Sequence, residues 1–281
     1  MELAALALAL VAAALHAAWN LLAKRASGGA GFVWSCAAAG AVLWAPLGLG
    51  ALALGGRPEG AALGLMLGSG ALHAGYFLLL QRGYGAGDLS LVYPIARGTG
   101  PLLAVPLAAV LLGERPGPAG VAGGAVIVAS VLLLTSRPKP GEGRAIGFAV
   151  ATGALIAAYT LWDALAVGRL DLSPVTYFWG AEVCRSTLLA PLALRRPQAL
   201  RQVWRRERRV VLWVAVLSPL SYVLVLFALR LAPVSLVAPA REVGIVLGAL
   251  LGRVVLGEPA GTRRLPAAVG VVVGVALLAS S

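Results

Sequence analysis

The chain has 281 residues, 60% of them hydrophobic and only 12% charged. That balance excludes a soluble domain of ordinary composition and points to a protein whose main solvent is lipid. A net charge of +12 would suggest nucleic acid in a soluble protein, but the placement of the basic residues assigns them to the membrane surface, and no nucleic-acid partner is expected.

A membrane-spanning helix needs about 20 apolar residues. Ten such stretches are read, at about 3–23, 31–54, 61–80, 89–112, 118–136, 145–168, 173–194, 210–229, 234–256 and 265–281. The first is one of ten and has a counterpart later in the chain, which favours a span over a cleaved leader. Span one carries His16 and Asn20 four residues apart, on one helical face, with Trp19 beside them. Span three offers His73, Tyr76 and Phe77.

Span four contains Pro94, Pro101 and Pro106, and places Tyr93 and Arg97 at membrane depth. Each proline removes a backbone donor and clashes with the preceding turn, so a kinked helix is expected. Span six shows Tyr159, Trp162 and Asp163, and span eight Ser218 and Tyr222. Aromatic and polar stripes of this kind line small-molecule pockets, although they also occur in interfacial belts and plain helix packing.

Span seven holds Glu182 and Arg185 at i, i+3, where each can satisfy the other; a structural ion pair is the expectation. Span nine holds Pro239, Arg241 and Glu242. Arg97 and Arg241 each follow a proline within a turn and match across the two halves with a slip of one residue. They are read either as a guanidinium pair for a carboxylate or phosphate, or as fixed partners of Glu242 and of free carbonyls. Charges at membrane depth cost roughly 3 kcal/mol each even on a lenient scale, so these side chains must face the bundle interior. Glu242, Asp163 and His16 are the candidates for carrying a coupled proton, with His73 able to share that work.

Glu114 and Glu258 end spans four and nine just before Pro116 and Pro259, and are read as caps for the helix that follows. Gly244, Gly248 and Gly252, and likewise Gly270 and Gly274, form small-residue seams. Such a seam serves either as an internal joint or as the face of a homodimer. Cys36 and Cys184 fall inside apolar spans and support neither a disulfide framework nor a metal site; no cofactor is read.

The chain is written twice. Ala14–Leu21 recurs at Ala154–Leu161, Ala45–Leu49 at Ala190–Leu194, and Phe32/Trp34 at Tyr177/Trp179. Ser90–Pro94 answers Ser235–Pro239, and Gly113-Glu114 answers Gly257-Glu258. The boundaries are 1–140 and 141–281, with five spans in each copy. An odd number of spans forces the second copy to start on the opposite side, giving an all-α integral membrane protein with a 5+5 inverted-topology repeat.

Linkers after odd-numbered spans carry Lys24, Arg25, Arg82, Arg137, Lys139, Arg144, Arg195, Arg196, Arg201, Arg205, Arg206, Arg208, Arg209, Arg253, Arg263 and Arg264. Those after even-numbered spans carry only Arg57, Arg115, Arg169 and Arg230. Basic residues favour the cytoplasm, so both termini are expected outside, and 195–209 is expected to be a cytoplasmic loop facing lipid headgroups.

Five plus five spans, Trp19-Asn20 in span one, a proline in spans four and nine and Gly-Glu after each resemble the drug/metabolite transporter superfamily, EamA type. The resemblance covers essentially the whole chain. It implies a bundle with a central cavity lined mainly by spans one, three, four, six, eight and nine, exporting or exchanging metabolites or drugs by alternating access. Carried onto this chain, the cavity candidates are His16, Trp19, Asn20, His73, Tyr76, Tyr93, Arg97, Tyr159, Trp162, Tyr222, Arg241 and Glu242. Relatives of this type generally keep both termini in the cytoplasm, the reverse of the charge count here.

The expected activity is secondary transport of a small anionic or zwitterionic metabolite across a bacterial inner membrane, with proton coupling as a candidate drive. The alternatives are a drug or toxin exporter, a lipid-headgroup flippase or a non-transporting scaffold. A membrane enzyme is disfavoured, since the chain has no HExxH, no GxSxG and no aspartate pair at membrane depth. No phosphate-cradling G-x-x-x-x-G-K-S/T loop is present either.

Overall fold

The computed structural model describes residues 1–23, 29–55, 58, 60–87, 89–133, 141–247 and 264–280. Among them every regular element is helical: α1 (Glu2–Ala23), α2 (Gly29–Leu43), α3 (Ala45–Gly55), α4 (Gly60–Ala86), α5 (Leu89–Leu111), α6 (Pro118–Leu133), α7 (Gly143–Ala164), α8 (Pro174–Leu194), α9 (Pro197–Leu231), α10 (Val234–Ala240) and α11 (Arg264–Ala279). A π-helical turn, Leu165–Arg169, continues α7.

Five of these stretches are long and apolar enough to cross a membrane: Glu2–Ala23, Gly60–Ala86, Leu91–Leu111, Gly143–Arg169 and Pro197–Leu231. The pair α2 and α3, bent by 50° at Trp44, makes a sixth if taken as one span. Pro46 explains the bend, because it has no N–H to offer the carbonyl of Val42 one turn back. α6 is shorter than a full span, at 16 residues, and Glu182 and Arg185 interrupt the apolar run of α8.

Two expectations about prolines divide. α5 runs unbroken through Pro94, Pro101 and Pro106, so span four is not interrupted. Span nine breaks instead: α10 stops at Ala240, and the amides of Glu242, Gly244 and Ile245 bond carbonyls three residues back. That tighter winding, of 3₁₀ type, takes Glu242 off the α-helical ladder, whereas the Arg241 amide still bonds the carbonyl of Val237 four residues back. A helical turn resumes over 243–247; the remainder of span nine, with Gly248, Gly252 and Glu258, lies outside the described residues.

The segment 195–209 is not a loop. α9 begins at Pro197, a residue suited to the first helical turn, and continues for 35 residues. Val203 is buried with Phe32, Cys36 and Val211, so one stripe of this extension packs on α2 while its arginines stay exposed. Apolar burial on that stripe and a run of helix formers outweigh the mutual repulsion of the arginines.

Packing joins elements of the first half of the chain to elements of the second rather than keeping them apart. α1 lies along α9 and α4 along α7; α2 touches both α8 and α9, and α4 touches α8. α5 packs on α7 and α10, and α6 on α11. Glycine permits the closest of these approaches. Side chains at Gly123 or Gly274 would overlap the backbone of the facing helix, and one at Gly244 would strike the carbonyl of Ala13. Both described seams are therefore internal joints.

Candidate functional site

α1, α4, α7, α8, α9 and the break after α10 meet around a cavity of about 40 Å³. That volume holds a few water molecules. His16, Trp19, His73, Tyr76, Tyr159, Tyr222 and Arg241 of the expected set line it together. A smaller void beside it is lined by His16, Arg97, Tyr222 and Arg241.

The wall is aromatic and continuous. His73 stacks on Tyr159 at 4.2 Å and meets Tyr222 edge-on at 5.0 Å; Tyr76 meets Tyr159 at 5.7 Å and Phe77 at 4.8 Å. His16 sits edge-on to Trp19 at 4.7 Å. His73 Nδ1 lies 2.9 Å from the carbonyl oxygen of Ser69, an acceptor only, which assigns the ring proton to Nδ1. His16 Nε2 and Trp19 Nε1 have no hydrogen-bond partner although buried. A ligand entering here would find both already without competing bonds.

Charge is distributed unevenly around this wall. Arg241 is 4% exposed, and its guanidinium lies over the Tyr222 ring at 5.5 Å. Among the described residues, no carboxylate comes within ion-pair distance of it. Arg97, also buried, sits with Nε 2.9 Å from Glu242 Oε2. The N–H is not aimed at that oxygen, so this is a charge contact rather than an aligned hydrogen bond, and Arg97 Nη1 likewise has no acceptor. Glu182 and Arg185 pair at 2.5 Å, with Arg185 over the ring of Phe77 at 4.7 Å.

Asp163 lies behind the wall. It is fully buried, and its two oxygens accept hydrogen bonds from Tyr177 (2.7 Å) and Tyr222 (2.5 Å). Tyr222 therefore has Arg241 over its ring and Asp163 at its hydroxyl, linking the cation of the cavity to the buried carboxylate.

Four expected members sit elsewhere. Trp162 is 37% exposed and donates to the carbonyl of Leu65 on the outer face, because the helical turn that aims Tyr159 inward carries Trp162 away. Asn20 donates its amide hydrogen to the carbonyl of His16 in its own helix. Tyr93 is partly buried against the core, and Glu242 is turned to Arg97. Glu114 also differs from expectation: its two oxygens accept from the amides of Val234 (2.7 Å) and Ser235 (2.9 Å). It caps α10 in the other half of the chain, not the helix that follows it.

Sequence reading missed Ser69, Tyr177, Phe178 and Ser221 as cavity residues, and took Glu182 and Arg185 for structure alone although both line the wall. Tyr177 carried a signal, being the match of Phe32 in the repeat. The serines carried none.

Apolar helices of spanning length around a closed polar hollow define a multi-pass membrane protein. Residues 143–280 match the model of the EamA-like transporter family, part of the drug/metabolite transporter superfamily. A solved crystal structure, described only as that of a protein, has the same fold with a TM-score of 0.79 over 99% of this chain and 98% of that one, at 20% identity. The search of curated proteins returned no match.

Proposed function

We propose that this chain is a secondary transporter for a small anionic or zwitterionic metabolite, working by alternating access across a bacterial inner membrane. The observation that carries the reading is Arg241, a buried cation lining an aromatic hollow and left without a carboxylate among the described residues. A guanidinium so placed offers a planar pair of donors to a carboxylate or phosphate. The surrounding tyrosines and Trp19 suit an ammonium or an apolar body at the other end of the same ligand.

The 5+5 inverted repeat (1–140 and 141–281) is supported by reciprocal bonds. Trp34 Nε1 donates to the carbonyl of Ser186 at 3.0 Å, and Trp179 Nε1 donates to that of Ala41 at 2.9 Å. Trp34 and Trp179 are 145 positions apart, and so are Ala41 and Ser186. A twofold relation demands this exchange of partners. The pairing of α1 with α9 and α7 with α4, and of α4 with α8 and α9 with α2, follows the same swap.

Proton coupling falls to Asp163 in this reading, since Glu242 is held against Arg97. The drug-exporter alternative requires Glu242 free in the cavity, and its ion pair argues against that. Both termini lie outside, as the basic linkers dictate. Dimerisation would use an outer face, since both described seams are occupied inside the bundle.

The test is a counterflow screen. Purified protein in liposomes is loaded with mixed unlabelled hydroxy acids, amino acids, sugar phosphates and lipophilic cations, then offered each compound in radiolabelled form. Accumulation of an anionic or zwitterionic compound that is lost in Arg241→Ala supports the reading. Accumulation of lipophilic cations alone, or uptake unchanged by Arg241→Ala, refutes it.

A further inference from the structure

Arg97 and Glu242 are 145 positions apart, the offset that lays Ser90–Pro94 on Ser235–Pro239. Arg97 therefore corresponds to Glu242 in the second copy, and Arg241 corresponds to Ala96. Gly113-Glu114 answers Gly257-Glu258 at an offset of 144, so a one-residue slip lies within this span, and the correspondence of Arg97 with Glu242 places that slip beyond Glu242. The two copies of this position touch, Nε to Oε2 at 2.9 Å, and both side chains are 2% exposed.

In a twofold arrangement a contact between residues i and j has an image between their copies. The Trp34–Ser186 and Trp179–Ala41 bonds are such a pair of images, lying off the axis. A residue can touch its own copy only where the axis passes. We propose that Arg97 and Glu242 are one duplicated position whose copies carry opposite charge and form a pivot on the local twofold, leaving Arg241 as the cation that holds cargo. The proposal rests on the alternating-access reading above.

The physics of burial favours this location. Separating a paired arginine and glutamate inside a low-dielectric bundle leaves two uncompensated charges, a step far costlier than keeping the pair. Alternating access exchanges the conformations of the two halves. Off-axis contacts are then traded for their images, whereas an on-axis contact maps onto itself and need never open. Arg241 has an apolar counterpart, so its charge has no cancelling copy.

The test reads both open states without a substrate. Ser69 lines the cavity, so Ser69→Cys is introduced with Cys36→Ala and Cys184→Ala, and the full chain in liposomes is labelled by a membrane-impermeant maleimide from each side. Four variants are added: Arg97→Gln, Glu242→Gln, the neutral double, and the charge-swapped Arg97→Glu/Glu242→Arg. A pivot predicts that each single variant lowers the melting temperature in detergent, and that the swap recovers it because opposite charges again face each other. It also predicts that the neutral double keeps the ratio of labelling from the two sides within about twofold of the parent. A neutral double that shifts this ratio about tenfold or more marks a gate that opens in one state, and overturns the pivot while leaving alternating access intact. Failure of the swap to recover the melting temperature also overturns it. One-sided labelling of the parent itself refutes alternating access, and the pivot falls with it.

Discussion

Arg241 and Tyr222 act as a unit, the planar cation lying on the ring face. Arg241→Lys keeps the charge but loses the flat contact and the paired donors. Transport of an anionic probe found in the counterflow screen should fall about tenfold or more in Arg241→Lys, and further in Arg241→Ala, with the melting temperature little changed. Asp163 is coupled to the same ring through the Tyr222 hydroxyl. In a double-mutant cycle of Asp163→Asn and Tyr222→Phe, thermal unfolding should show an interaction of about 1–3 kcal/mol, and additive effects would mean the bond does not stabilise the fold. The residues legible in the sequence were those whose type is rare at membrane depth, such as His16, His73 and Arg241. Trp162 was misread because composition shows that an aromatic lies in a span, while only packing fixes which side of the helix it occupies.

At the scale of the helix, Glu114 ties the segment after α5 to the start of α10 through two charge-assisted bonds. Glu114→Ala should cost about 2 kcal/mol of stability, read as a lower unfolding midpoint, whereas Glu114→Asp should recover part of it if its shorter reach still meets one amide. Gly48 tests the bend between α2 and α3. A methyl group there would overlap the Trp179 ring, so Gly48→Ala should destabilise by about 1–3 kcal/mol and Gly50→Ala, which meets open space, should not. The long apolar helices α1, α4, α5, α7 and α9 were legible because hydropathy is a local property. The extension of α9 was not, because a run of arginines reads as solvated loop until Val203 is seen packed on α2. Nor was the break after Ala240 distinguishable from the unbroken α5, since both contain proline; the neighbours decide which helix yields.

At the scale of the molecule, the Trp34 and Trp179 bonds cross between the two halves of the chain, and the proposed repeat predicts paired effects. Trp34→Phe and Trp179→Phe remove bonds that are images of each other, so their losses of stability should agree within about 0.5 kcal/mol. Strongly unequal losses would argue that the halves are not equivalent. Orientation is a separate matter: periplasmic reporter fusions after Ser281 should be active, and inactive fusions would place both termini in the cytoplasm. The proposed duplication rests on the Ser-Leu-Val-Tyr-Pro and Ser-Leu-Val-Ala-Pro segments, which the sequence displays, whereas the contact of Arg97 with Glu242 was not legible there, because opposite charges do not look like correspondence.

Glu182 and Arg185 break that equivalence. Their positions in the first half are held by Ala37 and Gly40, and a side chain at Gly40 would press on Glu182 Oε1 at 3.0 Å. Only one leaf of the bundle therefore carries a polar clasp beside the cavity. If the two leaves trade shapes as proposed, that clasp makes the inward- and outward-facing forms unequal in free energy, so the vacant hollow would favour one face of the bilayer while both forms stay populated, before any ion gradient acts upon it.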